Sequence, residues 1–161
     1  MSDTERSHWV FRAHVMDRAG ALTSIASAFS NEGVSIDTVV GHGFVERAGV
    51  DGSVILTFYC SEAEKDIMVR KVRRLSKVTE LEEHRYESQS LRKSAIVRTS
   101  RQLKPQDVVG ENAFLTSEIV KQDAHGWTYL LAGSPSDLDP ILERLEVDGV
   151  IKDIVYSVLS L

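Results

Sequence analysis

Where the chain reads Val15-Met16-Asp17-Arg18-Ala19-Gly20-Ala21-Leu22, a strand-like segment runs directly into a helix-like one. The first amides of a helix lack intrahelical partners and stand at the positive end of its dipole, so they hold carboxylates well. Gly20 permits close approach of the backbone. Asp17, at the end of the strand, supplies oxygens for an ammonium group. The Asp17 to Leu22 turn is thus shaped for the head of an amino acid, with apolar neighbours left for its tail. Asp is also a good helix N-cap, and residue types alone do not separate the two roles.

Other chemistry finds less footing. There is no Gly-x-Ser-x-Gly, no clustering of Cys with His and no pair of carboxylates on an apolar background, so no catalytic residue is assigned. His14 alternates outward on its strand, His84 lies in a charged run, and His42, between Gly41 and Gly43, reads as a polar turn contact. No two histidines have metal-ligand spacing, and Gly41-His42-Gly43 lacks the third glycine and the strand-to-helix context of a dinucleotide site. Neither a metal nor a cofactor is expected. Cys60, the single cysteine, ends an apolar segment and reads as a small core residue. One cysteine excludes an internal disulfide and fits a reducing cytoplasm.

The 161 residues carry a net charge of −5 and are 42% hydrophobic. The acidic balance argues against a nucleic-acid partner. Arg70, Lys71, Arg73 and Arg74 form the densest basic cluster and read as a solvated helix face. No apolar run approaches the roughly 18 to 20 residues of a membrane span, and the N-terminal stretch lacks the pattern of a secretory signal.

The elements that must position the turn follow from periodicity. Trp9 to Val15 alternates, with Trp9, Phe11, Ala13 and Val15 on one face. Leu22, Ile25, Ala26 and Phe29 then share a helix face, closed by Gly33. A strand from Val34 puts Ile36, Thr38 and Val40 together, with Gly41 and Gly43 marking a bulge or a close approach. Asp51-Gly52 signals a hairpin, and Ser53 to Cys60 is its return strand. Ser61 with Glu64 is a capping box before the helix of Met68, Val72 and Leu75, and Val78 to Glu87 closes as an edge strand. The order β-α-β-β-α-β over residues 7–87 is the split βαβ arrangement. Residues 92–161 repeat it, with Ser94 to Ser100, a hairpin turning near Asp123 to Gly126, a helix on Leu138, Ile141, Leu142 and Leu145, and a last strand from Val150. Arg101 to Ala113, broken by Pro105 and Gly110, replaces the first helix. The fold class is α+β, two ferredoxin-like domains in tandem, the second with an eroded first helix.

Such a sheet carries helices on one face only. Val54-Ile55-Leu56 and Tyr129-Leu130-Leu131 are apolar towards both faces, so a second cover is required. Edge pairing across a two-fold would also remove exposed strand edges. A homodimer is expected.

At Asp17-Arg18-Ala19-Gly20-Ala21-Leu22 and Gly33-Val34-Ser35-Ile36 the chain resembles ACT domains, which show Asn/Asp-x-x-Gly-x-Leu, an apolar helix and Gly-x-x-Ile. The full layout, with Tyr129 to Leu145 and Val150 to Leu161, is similar to the small regulatory subunits of acetolactate synthase. That resemblance implies a non-catalytic regulator of branched-chain amino-acid biosynthesis. It implies an effector, valine or similar, bound between the ACT domains of two chains, and a thiamine-diphosphate-dependent catalytic partner. By position the ligand contacts would be Asp17, Arg18, Ala19, Gly20, Ala21, Leu22, Ser35, Ile36 and Asp37. A free-standing ACT protein sensing another small ligand, and a structural adaptor with no ligand, are the alternatives.

Overall fold

The computed structural model describes residues 5–16, 18–43, 52–109 and 115–160. The chain divides into two compact units, Met1–Tyr86 and Glu87–Leu161, each with its own four-stranded antiparallel sheet.

The first unit runs β1 (Ser7–Val15), α1 (Arg18–Asn31), β2 (Ile36–Gly43), β3 (Gly52–Cys60), α2 (Glu62–Arg73) and β4 (Val78–Arg85). The strands lie in the order β2-β3-β1-β4, so β2 and β4 are the edges. Phe11, Phe29 and Phe58 are fully buried and meet edge to face, with Phe58 4.7 Å from Phe11 and 4.8 Å from Phe29, the geometry that ring quadrupoles favour. The buried stripe of α1 is Ala21, Ile25 and Phe29, while Leu22 is 37% exposed and Ala26 is exposed. This corrects the expected stripe through Leu22 and Ala26. Ala21, Ile25 and Phe29 also recur every four residues, and the small Ala21 lets the helix rest close on the sheet.

The expected capping box of α2 is present. Ser61 Oγ accepts the Glu64 amide at 3.2 Å, and the Glu64 carboxylate accepts the Ser61 amide at 2.8 Å. Beyond it, Lys65 is buried against Trp9, its Nζ 5.0 Å from the ring centroid, and reaches the carboxylates of Asp66 and Glu83. Burial pulls the Lys65 ammonium down, but the two carboxylates outweigh it and the net shift is upward.

Strand β2 departs from simple alternation. Ile36 pairs with Phe58 and Thr38 with Thr57, leaving Asp37 as the extra residue of a bulge. Ile36 therefore packs towards the helices, whereas Thr38 and Val40 fall on the other face, which corrects their expected grouping. Thr57 Oγ1 holds the bulge by accepting the Thr38 amide at 3.1 Å. The close approach anticipated at the glycines is at the partner position, where a Cβ on Gly52 would stand 2.2 Å from the His42 carbonyl. Asp51 of the expected hairpin turn lies outside the described residues.

The helix-free face of this sheet gathers four of the five histidines, His8, His14, His42 and His84. His14 faces away from the helices as expected but is buried, not exposed. Its Nε2 and the Arg12 guanidinium each lie 3.6 Å from Glu82 on the neighbouring strand. His8 stacks between Tyr59 and Tyr86, with centroids 3.9 and 3.7 Å away. His42 makes a cross-strand hydrogen bond of 2.7 Å with Ser53, not the turn contact expected.

The second unit contains β5 (Arg92–Thr99), β6 (Thr116–Asp123), β7 (Gly126–Gly133), α3 (Pro135–Val147) and β8 (Ile151–Leu159), in the sheet order β6-β7-β5-β8. That order reproduces the first unit strand for strand, and the expected α+β tandem of ferredoxin-like units is the observed fold. One helix packs Leu138 and Leu142 against Ala95, Val97, Tyr129 and Leu131. Where the first unit has α1, only the 3-10 turn Pro105–Val108 stands among the described residues. Asp107 fixes it. Its carboxylate takes Arg101 in a fork at 2.7 and 3.2 Å and accepts the Lys104 amide at 2.7 Å. The Arg101 guanidinium, then the Lys104 amide, pull the Asp107 carboxyl down to about 2. With so small a cover, Ile119 of β6 is left 53% exposed although its pair across the strands, Tyr129, is in the core.

Candidate functional site

The expected ligand turn is reached through α1. Asp17 lies outside the described residues; helix α1 begins at Arg18. Ala19 is exposed, Gly20 half-buried, and Ala21 fully buried as the first core residue of the helix. Helices α2 and α3 carry carboxylates in their first turns, Glu62 and Glu64 in one and Asp137 in the other, and each is capped by a serine. The first turn of α1 contains no acidic residue. Thr23 and Ser24 return their hydroxyls to the Ala19 and Gly20 carbonyls, at 3.3 and 3.0 Å. An anion approaching this helix start meets no carboxylate of the helix itself.

The second group of expected contacts lies elsewhere. Ser35 is exposed, Ile36 packs against the core, and the Asp37 carboxylate accepts the Thr57 hydroxyl at 3.3 Å and lies 3.4 Å from His8. Register places the two groups at opposite ends of the sheet. Val15, which leads into α1, is level with Gly52 and Gly43, whereas Ile36 is level with Phe58 and Trp9. Six residues of strand separate them, roughly 20 Å. One chain therefore does not bring the start of α1 and the start of β2 together.

Two chains can. Strand β2 is an edge, and antiparallel pairing of two β2 edges would lay the beginning of one beside the Gly43 end of the other. That end is where α1 of the second chain starts. The flank concerned is also apolar and open. Val39, on the helix side of β2, is 43% exposed and Leu22 of α1 is 37% exposed. Leu22 follows the core residue Ala21 by one position, about 100° around the helix. It falls on the flank opposite the groove that Ser24, Ser27 and Asn31 form with Lys71 and Arg74 of α2. Of the two residues on this flank, Leu22 was among the contacts expected from the motif; Val39 and the edge position of β2 depend on strand order.

The remaining candidates carry no such arrangement. Cys60 is buried, and burial, aided by Glu64, pushes its thiol up to about 11, opposite to the direction a nucleophile requires. Among the described residues no three of His, Cys, Asp and Glu are placed to hold a metal ion. Among them, too, no helix is long and apolar enough to cross a membrane.

No family model and no curated protein matches the chain. Solved structures do. The acetolactate synthase small subunit from Thermotoga maritima superposes with a TM-score of 0.65 at 14% identity, over 98% of this chain and 96% of that one. A regulatory subunit of aspartate kinase from Thermus thermophilus is more distant, with a TM-score of 0.47 and 11% identity over 91% of this chain and 98% of that one. The first likeness spans both units, so the α+β tandem of two ferredoxin-like units expected from the sequence is the fold the chain has.

Proposed function

We propose that the chain is a non-catalytic regulatory protein that binds a small amino acid between the ACT-type units of two copies. The observation that carries this reading is the register: the helix start and the β2 start lie about 20 Å apart in one chain, yet edge pairing of β2 would bring them together. The carboxylate of the effector is held at the α1 amides, its ammonium group by Asp17, and its side chain against the apolar flank of Leu22. Ser35, Ile36 and Asp37 of the second copy close the site. The domains are taken as residues 7–87 and 92–161, and the cytoplasm as the compartment.

The partner is proposed as the catalytic subunit of acetolactate synthase, supported by full-length likeness to a small subunit of that enzyme. Valine or a similar branched-chain amino acid is the effector of choice. Binding would order the two-chain site and so change what the regulator presents to the enzyme.

A thermal-unfolding screen against the twenty amino acids tests the ligand. An effector at about 100 times its dissociation constant adds roughly 2.7 kcal/mol to the folded state, and Asp17→Ala should abolish that gain. A response lost with Asp17 supports the site. Stabilisation that survives Asp17→Ala assigns Asp17 to helix capping alone, and no response to any amino acid removes the effector reading.

A further inference from the structure

In the helix layer of the first unit, α1 and α2 leave a groove between them of about 510 Å³. That size lies within the roughly 300–1,000 Å³ of small-molecule sites. Its two walls differ in chemistry. The α1 wall is uncharged and hydrogen-bonding, with Ser24, Ser27 and Asn31, whereas the α2 wall is cationic, with Lys71 and Arg74. Ala28 and Leu75 add a small apolar patch, and no carboxylate is among the described residues that line the groove. Within the basic cluster, Arg70 and Arg73 are exposed and do not line it. Arg74 is exposed too, and among the described residues it pairs with no carboxylate. Lys71 donates to Glu32, which uses one of its three ammonium protons. Two cations against this one carboxylate leave a surplus of positive charge at the groove. On the facing helix, Thr23 and Ser24 spend their hydroxyl protons on the Ala19 and Gly20 carbonyls. The Ser27 hydroxyl and the Asn31 side-chain amide have no partner among the described residues. Cations at a helix C-terminus complement its dipole, which accounts for the charge on α2 but not for the open donors opposite it.

We propose that this groove binds a small organic phosphate, at a site separate from the effector turn and complete within one chain. The donors select the occupant. Arg74 offers a planar fork to phosphate oxygens and Lys71 a point charge, while Ser27 and Asn31 serve the oxygens left over. A divalent cation is unsuited to a groove that no carboxylate lines. A partner helix needs a stripe of apolar anchors, and Ala28 with Leu75 are too few. The same two side chains suit the compact organic body of a phosphate ester.

Calorimetric titration of the full-length chain at fixed ionic strength tests this, with phenyl phosphate as the probe and inorganic phosphate as its headgroup alone. Saturable binding of phenyl phosphate is expected, tighter than that of inorganic phosphate. Arg74→Gln should weaken it about tenfold or more. Ser27→Glu, which sets a carboxylate in the groove, should abolish it. Both positions are exposed, so the unfolding midpoints of the two variants should change little. Arg73→Gln, which removes the same charge from outside the groove, should leave the affinity unchanged. Because the groove needs no second copy, Val39→Lys should bind phenyl phosphate as the parent does, whatever the fate of the effector site. Absence of saturable binding to the parent overturns the proposal. So does binding that survives both Arg74→Gln and Ser27→Glu, or an equal loss in Arg73→Gln and Arg74→Gln, the mark of diffuse attraction to a basic helix.

Discussion

Val39→Lys is the substitution that most directly probes the β2 edge. The residue is 43% exposed on an edge strand, beside the equally open Leu22, so the isolated fold loses little when it is replaced. A whole valine presents roughly 150 Å², which leaves about 65 Å² for a partner to cover, worth about 1.6 kcal/mol. An isologous contact counts every residue twice, giving about 3 kcal/mol, or roughly a two-hundredfold rise in the dissociation constant. Lysine adds like charges near the axis, so this is a lower bound. Sedimentation velocity over a dilution series measures the constant, and thermal unfolding at the lowest concentration checks the fold. A variant that associates as tightly as the parent refutes edge pairing through β2. One that unfolds well below the parent when both are monomeric refutes the premise that Val39 does no work within the chain.

Three further outcomes follow from individual side chains. Ser61→Ala removes the hydroxyl arm of the α2 capping box, leaving the backbone amide donated to the Glu64 carboxylate, and should cost about 1 kcal/mol, a fall of roughly 4–8 °C in the unfolding midpoint of the first unit by calorimetry. Arg101→Gln removes the largest cause of the low Asp107 pKa of about 2. A carboxylate held down in the folded state stabilises it above the unfolded value, near 4, and loses that contribution as pH falls towards 2. The variant should be less stable than the parent at neutral pH, the difference fading as pH falls towards 2, and should acid-unfold at a higher pH. Cys60, buried and with its thiol raised to about 11, should react with a colorimetric thiol reagent only after denaturant is added, and prompt reaction in the native state would contradict the burial.

Much of the architecture was legible because local signals and global fold agree. Trp9 to Val15 alternates cleanly, Ser61 with Glu64 marks a helix start, and Gly149 at φ 69 closes α3 where an αL residue is needed. The departures come from contacts no local pattern encodes. Leu22 fits a helix stripe as well as Ala21 does, and only the closeness of α1 to its sheet selects the smaller residue. Strand β2 reads as one alternating run, but the Thr38 to Thr57 bonds stabilise a bulge at Asp37 that moves Thr38 and Val40 to the other face. His14 looked exposed because it opposes the helix-bearing face, yet Arg12 and Glu82 surround it. The candidate site was legible as residue types only. That its two halves stand at opposite ends of one sheet is a matter of register, and register is invisible until the strands are paired.

The central claim is that an amino acid binds where two chains meet. Calorimetric titration of valine, leucine and isoleucine into the parent and into Val39→Lys tests it in one comparison. The account predicts saturable binding to the parent and loss of that binding when the variant is monomeric. Equal binding to the monomeric variant, or no binding to the parent, would contradict it.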